Sequence, residues 1–87
     1  MESVQAFSIH SPQLSTTEDA VGFVVKTNAG EQMGSISRSA LLALSPGQKG
    51  SLLDLFELNY GRILKAGFLK WSVNPSAVLV LGTADFE

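Results

Sequence analysis

The segment AVGFVVKT, residues 20–27, constrains the fold of this chain more than any other. It is rich in β-branched and aromatic residues, which favour strands. Its alternation places Val21, Phe23 and Val25 on one face, as in a strand with one buried side. The same alternation places Val24 on the opposite, open face of the predicted sheet.

The turn sequence NAG, residues 28–30, follows this strand and predicts a hairpin in which the glycine takes a positive φ. EQMGSI, residues 31–36, predicts the second strand. A three-residue loop places Val25 opposite Met33, whereas a two-residue loop places Val25 opposite Gly34. The sequence does not choose between these registers, although one step moves every side chain to the other face.

Two further elements flank the hairpin. A short strand is predicted at Val4 to Ile9, followed by a polar connection over residues 11–19. After the hairpin, Ser37 is a candidate N-cap for a short helix that ends at Leu44, before the helix-breaking segment SPGQKG. The inward residues of this helix are predicted to be Ala40, Leu41 and Leu44.

A second helix is predicted from a capping box formed by Ser51 and Asp54, with its end near Ala66 and Gly67 as its C-terminal stop. At 100° per residue, most of its apolar side chains share one broad arc. The members of that arc are Leu52, Leu53, Leu55, Phe56, Tyr60, Ile63 and Leu64.

Two residues of this helix break the pattern. Asn59 lies inside the apolar arc, so it needs hydrogen-bond partners, and we expect it to tie the helix to a loop or strand end. Leu58 lies on the polar side, which makes it a candidate protein contact.

The C-terminal part of the chain contains two apolar segments, FLKWSV (68–73) and AVLVLG (77–82), on either side of NPS. They predict two strands around a turn, because proline fixes φ and cannot donate to a ladder. The second strand is the better supported. The first segment can equally be the last turns of the preceding helix.

Together these elements predict one α+β domain over residues 1–87: an antiparallel sheet with two helices packed on one face. The sheet consists of the N-terminal strand, the hairpin and a C-terminal strand or hairpin. The chain has no cysteine, so packing alone stabilises it. Only 16% of its residues are charged, against about 25% in average domains. This favours self-association, as a homodimer, or a protein partner, with Val24 and Leu58 as candidate contacts.

The charges are unevenly distributed. The formal net charge is −2, which argues against general nucleic-acid binding. The segment from residue 38 to residue 70 nevertheless has a surplus of cations with aromatic residues nearby, a combination that single-strand binders use. The alternative prediction is therefore a nucleic-acid-binding or regulatory module. Its contacts would be Arg38, Lys49, Arg62, Lys65 and Lys70.

No motif predicts an enzyme or a cofactor. His10 is the single histidine, and a nucleophilic system built from it, a serine and Asp19 has no Gly-x-Ser-x-Gly elbow. The glycines do not form a phosphate-binding loop, and no metal-ligand cluster is present in the sequence. We expect a non-enzymatic protein without cofactor or metal. The N-terminal residues lack the features of a signal peptide and no apolar run reaches the ~20 residues of a membrane span, which predicts a cytoplasmic protein.

The segments VGFVVKTNAGEQMGSISRSAL and FELNYGRILKAG resemble an uncharacterised bacterial family, domain-of-unknown-function family 1488. The resemblance covers about residues 7–67. It implies a small α+β fold with an antiparallel sheet and helices on one face, and it implies no activity. The residues that match the family pattern are Val21, Phe23, Gly30, Ile36, Ser37, Ala40, Leu41, Phe56, Glu57, Asn59, Ile63 and Ala66.

Overall fold

The structure, a computed structural model, describes residues 7–28, 30–47, 50–74 and 78–86. Its α+β class is as predicted. The elements in chain order are β1 (Phe7–Leu14), β2 (Ala20–Thr27), β3 (Gly30–Ser37), α1 (Arg38–Leu44), α2 (Leu52–Leu58), α3 (Tyr60–Val73), β4 (Leu79–Leu81) and a final 3-10 turn (Thr83–Phe86).

The hairpin of β2 and β3 has a register that differs from both expectations. Gly30 pairs with Thr27, so Gly30 belongs to the ladder and only positions 28 and 29 lie between the strands. Position 29 is outside the described residues. Val25 consequently pairs with Gln32 rather than with Met33 or Gly34. Gly30 does take the expected positive φ, +124°, at the start of β3.

The sheet has the order β1-β2-β3-β4 and is mixed, not antiparallel as predicted. β1 and β3 both run antiparallel to β2, whereas β4 runs parallel to β3. β4 can run parallel to β3 because the connection between them is long. It contains all three helices and brings the chain back to the end of the sheet where β3 begins, as in a crossover connection. β4 lies within the strand predicted at 77–82, and residue 77 is outside the described residues.

β1 extends further than predicted. The expected start at Val4 lies outside the described residues, but pairing continues through Leu14 into the segment that was expected to be a polar connection. A bulge between His10 and Gln13 makes this continuation feasible, since two residues of β1 there oppose one residue of β2. Ser11 sits in the bulge with φ +56°.

Helix α1 matches the prediction at both ends. The Ser37 hydroxyl accepts a hydrogen bond from the backbone N–H of Ala40 at 3.1 Å, which satisfies a donor that the first turn leaves free. The helix ends at Leu44, and its three predicted inward residues are buried.

The predicted second helix is in fact two helices. Its capping box is present, since Ser51 Oγ accepts from Asp54 N–H at 3.1 Å and Asp54 Oδ2 accepts from Ser51 N–H at 3.2 Å. The helix then breaks at Asn59, whose φ of −108° and ψ of 21° are not helical. The fold therefore has three α-helices instead of two in its described part.

α3 continues through Gly67, so the prediction that this glycine stops the helix is wrong. Gly67 is buried in the middle of α3, where a Cβ would lie 3.3 Å from Leu79 and 3.5 Å from Phe7. It is a close-packing glycine that lets the helix approach side chains from both edge strands. Residues 68–73 are accordingly the last turns of α3, so of the two possibilities for this segment the helix end is correct and the strand is not.

All three helices cover the same face of the sheet. The inward residues of β2, together with Ile9, Ile36 and Leu81, are buried against apolar side chains from the helices, among them Phe56 and Ile63. The other face of the sheet has no covering layer among the described residues. Among the described residues, this bare face and the outer surface of α3 each leave several apolar side chains in contact with solvent, and Leu42 on α1 and Leu58 on α2 are also exposed.

Candidate functional site

The outer face of the sheet has an apolar row that crosses three strands. Val24 on β2 lies directly opposite Met33 on β3, and Ser35, two residues along, pairs with Val80 on β4. Val24 is half-buried, whereas Met33 is 61% exposed and Val80 53% exposed. We call Val24, Met33 and Val80 the outer-face row.

A shallow depression of about 350 Å³ lies beside this row. Gly22 forms part of it, because this glycine offers no side chain between Gln13 and Ser35, its neighbours in the sheet. Ser11 in the bulge and Leu14 also line it. The face is therefore concave and apolar at one end, a shape that can accept a protruding side chain.

The charges of this face are balanced. Lys26 Nζ lies 3.6 Å from Glu31 Oε2 on the neighbouring strand, and both side chains are more than half exposed. An exposed pair of this kind contributes about 0–1 kcal/mol to stability. Its larger effect is that the two charges cancel on this surface. His10, opposite Val24, hydrogen bonds through Nε2 with Ser8 Oγ at 2.7 Å.

Leu58, the other predicted contact, lies elsewhere on the molecule. It is 61% exposed at the C-terminal end of α2, in the helical layer. Val24 is on the opposite face of the sheet. The two predicted contacts therefore belong to different surfaces and cannot meet the same flat partner.

Asn59 is buried and hydrogen-bonded. Its Nδ2 donates to Ser45 Oγ at 2.8 Å and to the carbonyl of Leu55 at 3.0 Å. The bond to Ser45 joins the end of α2 to the segment that follows α1. Asn59 thus has the structural surroundings of a tie between a helix and a loop, and it has no access to a partner surface.

The basic residues predicted for nucleic-acid binding are partly engaged within the fold. Arg62 donates to the carbonyl of Leu44 at 3.3 Å, at the end of α1. Lys70 donates to the carbonyl of Val80 at 2.5 Å and forms an ion pair with Asp85 at 3.1 Å. Of the others, Arg38 and Lys65 are exposed and Lys49 lies outside the described residues.

Asp19, the acid considered with His10, is occupied in the loop between β1 and β2. Its carboxylate accepts hydrogen bonds from Thr17 Oγ1 at 2.6 Å and Ser15 Oγ at 3.2 Å. These bonds favour the ionised form, so the pKa of Asp19 lies below its ordinary value, mainly because of Thr17 and then Ser15. His10 hydrogen bonds with Ser8 instead of Asp19.

Within the described part of the chain, no group of three or more His, Cys, Asp or Glu side chains could hold a metal ion. Across the same residues, every helix is too short or too polar to traverse a bilayer. No protein-family model, curated protein or solved structure matches the chain.

The sequence pattern identified one member of the outer-face row and missed two. Met33 and Val80 alternate with buried residues of β3 and β4, and this alternation is the signal that could have placed them outside. Placing Met33 and Val80 beside Val24 required, in addition, the correct hairpin register and the position of β4. Both depend on contacts between segments that are distant in sequence.

Proposed function

We propose that this protein is a non-enzymatic association module of the cytoplasm and that two copies pair through the outer faces of their sheets. The observation that carries this proposal is the outer-face row, three apolar side chains on the adjacent strands β2, β3 and β4. They lie on a face that has no covering layer among the described residues. Sheets with one bare apolar face are commonly completed by a second layer.

The charge pattern favours a second copy as the partner. A two-fold contact places the same surface patch of both copies face to face, so a net charge on that patch would repel itself. The pairing of Lys26 with Glu31 leaves the outer face neutral at these positions. In a face-to-face dimer, the protruding Met33 of one copy can enter the depression beside Gly22 of the other.

The size of the face sets the expected strength. Three eight-residue strands, at about 3.3 Å per residue and about 4.8 Å between strands, cover on the order of 400 Å² in projection. Stable specific interfaces bury about 800 Å² per partner. The dimer is therefore expected to be weak and to depend on protein concentration.

The experiment is sedimentation equilibrium of the purified chain from micromolar to millimolar concentration. Met33→Glu would force a charged carboxylate into the largely apolar depression of the other copy and should yield a monomer at every concentration. Leu58→Glu is the matched control, because Leu58 and Met33 are both 61% exposed. It should leave the dimer unchanged.

Two outcomes would contradict the proposal. A monomer of the unmodified chain at millimolar concentration removes the homodimer. If Leu58→Glu dissociates the dimer and Met33→Glu leaves it intact, the contact lies on the helical layer and not on the sheet face.

The alternative function, nucleic-acid binding, has less support because Asp85 already neutralises Lys70 and because the formal net charge of the chain is −2. A salt titration with labelled single- and double-stranded nucleic acid tests it. Affinity that falls steeply with salt, and falls further in Lys65→Glu, would favour this alternative over the association module.

A further inference from the structure

The outer surface of α3 has a second apolar feature, separate from the sheet face. Arg62, Ala66, Leu69 and Val73 follow one another at intervals of four, three and four residues, so they form one stripe along the helix. Leu69 is 56% exposed and Val73 is 85% exposed. We call these four residues the α3 stripe.

The stripe lies in a groove. Two adjoining depressions of about 320 and 390 Å³ share Ala66, Leu69 and Asp85, so they form one continuous channel between α3 and the final 3-10 turn. Phe86 lines one end of the channel and Val73 lines the other. Apolar side chains thus contribute to the groove along its whole length.

The walls of the groove are fixed by internal bonds. Asp85 Oδ2 accepts from Gly82 N–H at 2.7 Å and from Lys70 Nζ at 3.1 Å, which holds the 3-10 turn beside α3. Lys70 and Asp85 neutralise each other. This leaves the groove with a defined shape and, as far as the described residues extend, without a free negative charge on its far wall.

Free positive charge is confined to one end. Lys65 is exposed, and among the described residues it has no hydrogen bond or ion pair. Arg62 uses one N–H for the carbonyl of Leu44, so most of its five donors remain available. The groove therefore combines an apolar floor with two cations at the N-terminal end of the α3 stripe.

We propose that this groove binds an amphipathic helix of a partner protein, with acidic side chains at the end that lies beside Arg62 and Lys65. A stripe with four-three-four spacing is the pattern that packs against a second helix. From Arg62 to Val73 it extends about 16 Å at 1.5 Å per residue, which accommodates about three turns of the partner helix.

A second copy of this chain is the less suitable occupant. Parallel pairing of two α3 helices would bring Arg62 and Lys65 against their own equivalents, and like charges in contact repel. Antiparallel pairing would place them beside Val73 and Asn74 of the other copy, which offer no negative charge. An acidic helix satisfies both cations and covers the apolar floor.

The test begins with a phage library that displays helix-forming peptides of about four turns. The selection uses the full chain carrying Met33→Glu, so that it does not depend on pairing through the sheet. Enriched peptides are then synthesised with a fluorophore, and their affinity is measured by anisotropy at low and physiological salt. Enriched sequences should have apolar residues three and four positions apart and acidic residues near one end.

Substitutions in the groove and matched substitutions elsewhere decide the outcome. Leu69→Ala should weaken binding by about tenfold, as the loss of a central contact does. Lys65→Glu should weaken it to a similar extent, because it sets a like charge against the acidic end of the partner helix. Arg38→Glu and Leu42→Ala repeat these changes on α1, outside the groove, and should change affinity by less than about twofold. Higher salt should weaken the unmodified complex, because the cations are exposed.

Three results would overturn the proposal: a library without enriched peptides, enriched peptides that lack acidic residues, or binding that is indifferent to Lys65→Glu. Binding of single-stranded oligothymidine that depends on Lys65, without peptide binding, would assign these cations to nucleic acid instead. Because the selection uses Met33→Glu, a failure here is independent of whether the chain forms a dimer.

Discussion

Gly34 allows the ring of Phe23 to pack against the backbone of the neighbouring strand. A Cβ at residue 34 would lie 2.9 Å from Cζ and 3.0 Å from Cδ1 of Phe23, closer than carbon atoms approach in proteins. Phe23 is 1% exposed and therefore has little room to move. The pair is an aromatic ring that covers a glycine on the adjacent strand.

We predict that Gly34→Ala lowers the free energy of unfolding by about 1–3 kcal/mol, the usual cost of overpacking a core. Gly22→Ala is the control, since a Cβ there has its nearest atoms at 3.8 and 3.9 Å, which is ordinary contact. It should change stability by less than about 0.5 kcal/mol. Urea denaturation measures both variants, and equal losses would contradict the steric explanation.

Asp19 predicts a dependence of stability on pH. Its pKa is lowered in the folded protein by hydrogen bonds from Thr17 and Ser15, so the ionised form stabilises the fold. This contribution is complete above the unfolded pKa and is lost as pH falls through the folded pKa. Asp19→Asn should therefore be less stable than the unmodified protein at neutral pH, and the difference should disappear in acid.

The measurement is urea denaturation in steps from neutral pH to below about pH 4, where the carboxyl group of an unfolded chain becomes protonated. Glu18→Gln is the control, because the carboxylate of Glu18 forms no hydrogen bond with the described residues. A stability difference for Asp19→Asn that stays constant into acid would show that the loop does not depend on this charge.

Asn59 shows how far residue-level reasoning extends. An amide inside an apolar arc predicts burial with hydrogen bonds, and the structure has both. The partner could not be predicted, because Ser45 belongs to the segment after α1 and its distance from Asn59 is a property of the folded chain. The break in the helix at Asn59 could not be predicted either, because the apolar pattern continues on both sides of this residue.

At the scale of elements, α3 contains two glycines in contrasting surroundings. Gly61 lies in the first turn, where a Cβ would have open space around it, whereas Gly67 is enclosed by side chains of Leu79, Phe7 and Ile9. The sequence alone led to the opposite assignment for Gly67, since a glycine after an apolar stretch usually ends a helix. Only the packing of both edge strands against it reveals its role.

We predict that Gly61→Ala raises the free energy of unfolding by up to about 1 kcal/mol, because alanine favours the helix. Gly67→Ala should gain less or nothing, since its Cβ would be 3.3 Å from Leu79. Gly67→Val should destabilise by about 1–3 kcal/mol through overpacking. Thermal unfolding followed by circular dichroism compares the three variants, and a stable Gly67→Val would contradict the close packing.

For the whole molecule, Trp71 reports on the joining of distant parts of the chain. It is the only tryptophan, and its ring lies 5.6 Å from that of Phe7 at the start of β1 and 6.1 Å from that of Phe68. We predict one cooperative transition in urea, because a single core includes all three helices and the sheet. Trp71 fluorescence and far-ultraviolet circular dichroism should give the same midpoint. Separated midpoints would indicate that part of the chain unfolds independently of the rest.

The sequence supported the class of fold better than its topology. Strand β2, helix α1 and the capping box of α2 are local patterns, and the structure has them at the predicted positions. The parallel pairing of β4 and the register of the hairpin depend on contacts between segments distant in the chain. Periodicity within a segment carries no information about such contacts.

At each edge of the sheet, a side chain of α3 hydrogen bonds to a backbone carbonyl of the edge strand, and this limits how further strands can add to the sheet. At one edge, Tyr60 donates to the carbonyl of Ile9 at 2.8 Å, and at the other, Lys70 donates to the carbonyl of Val80 at 2.5 Å. An incoming strand would have to displace a side chain of α3 on either side, and the bulge at Ser11 further distorts β1. Extension strand by strand into a fibre is therefore disfavoured at both edges of the sheet.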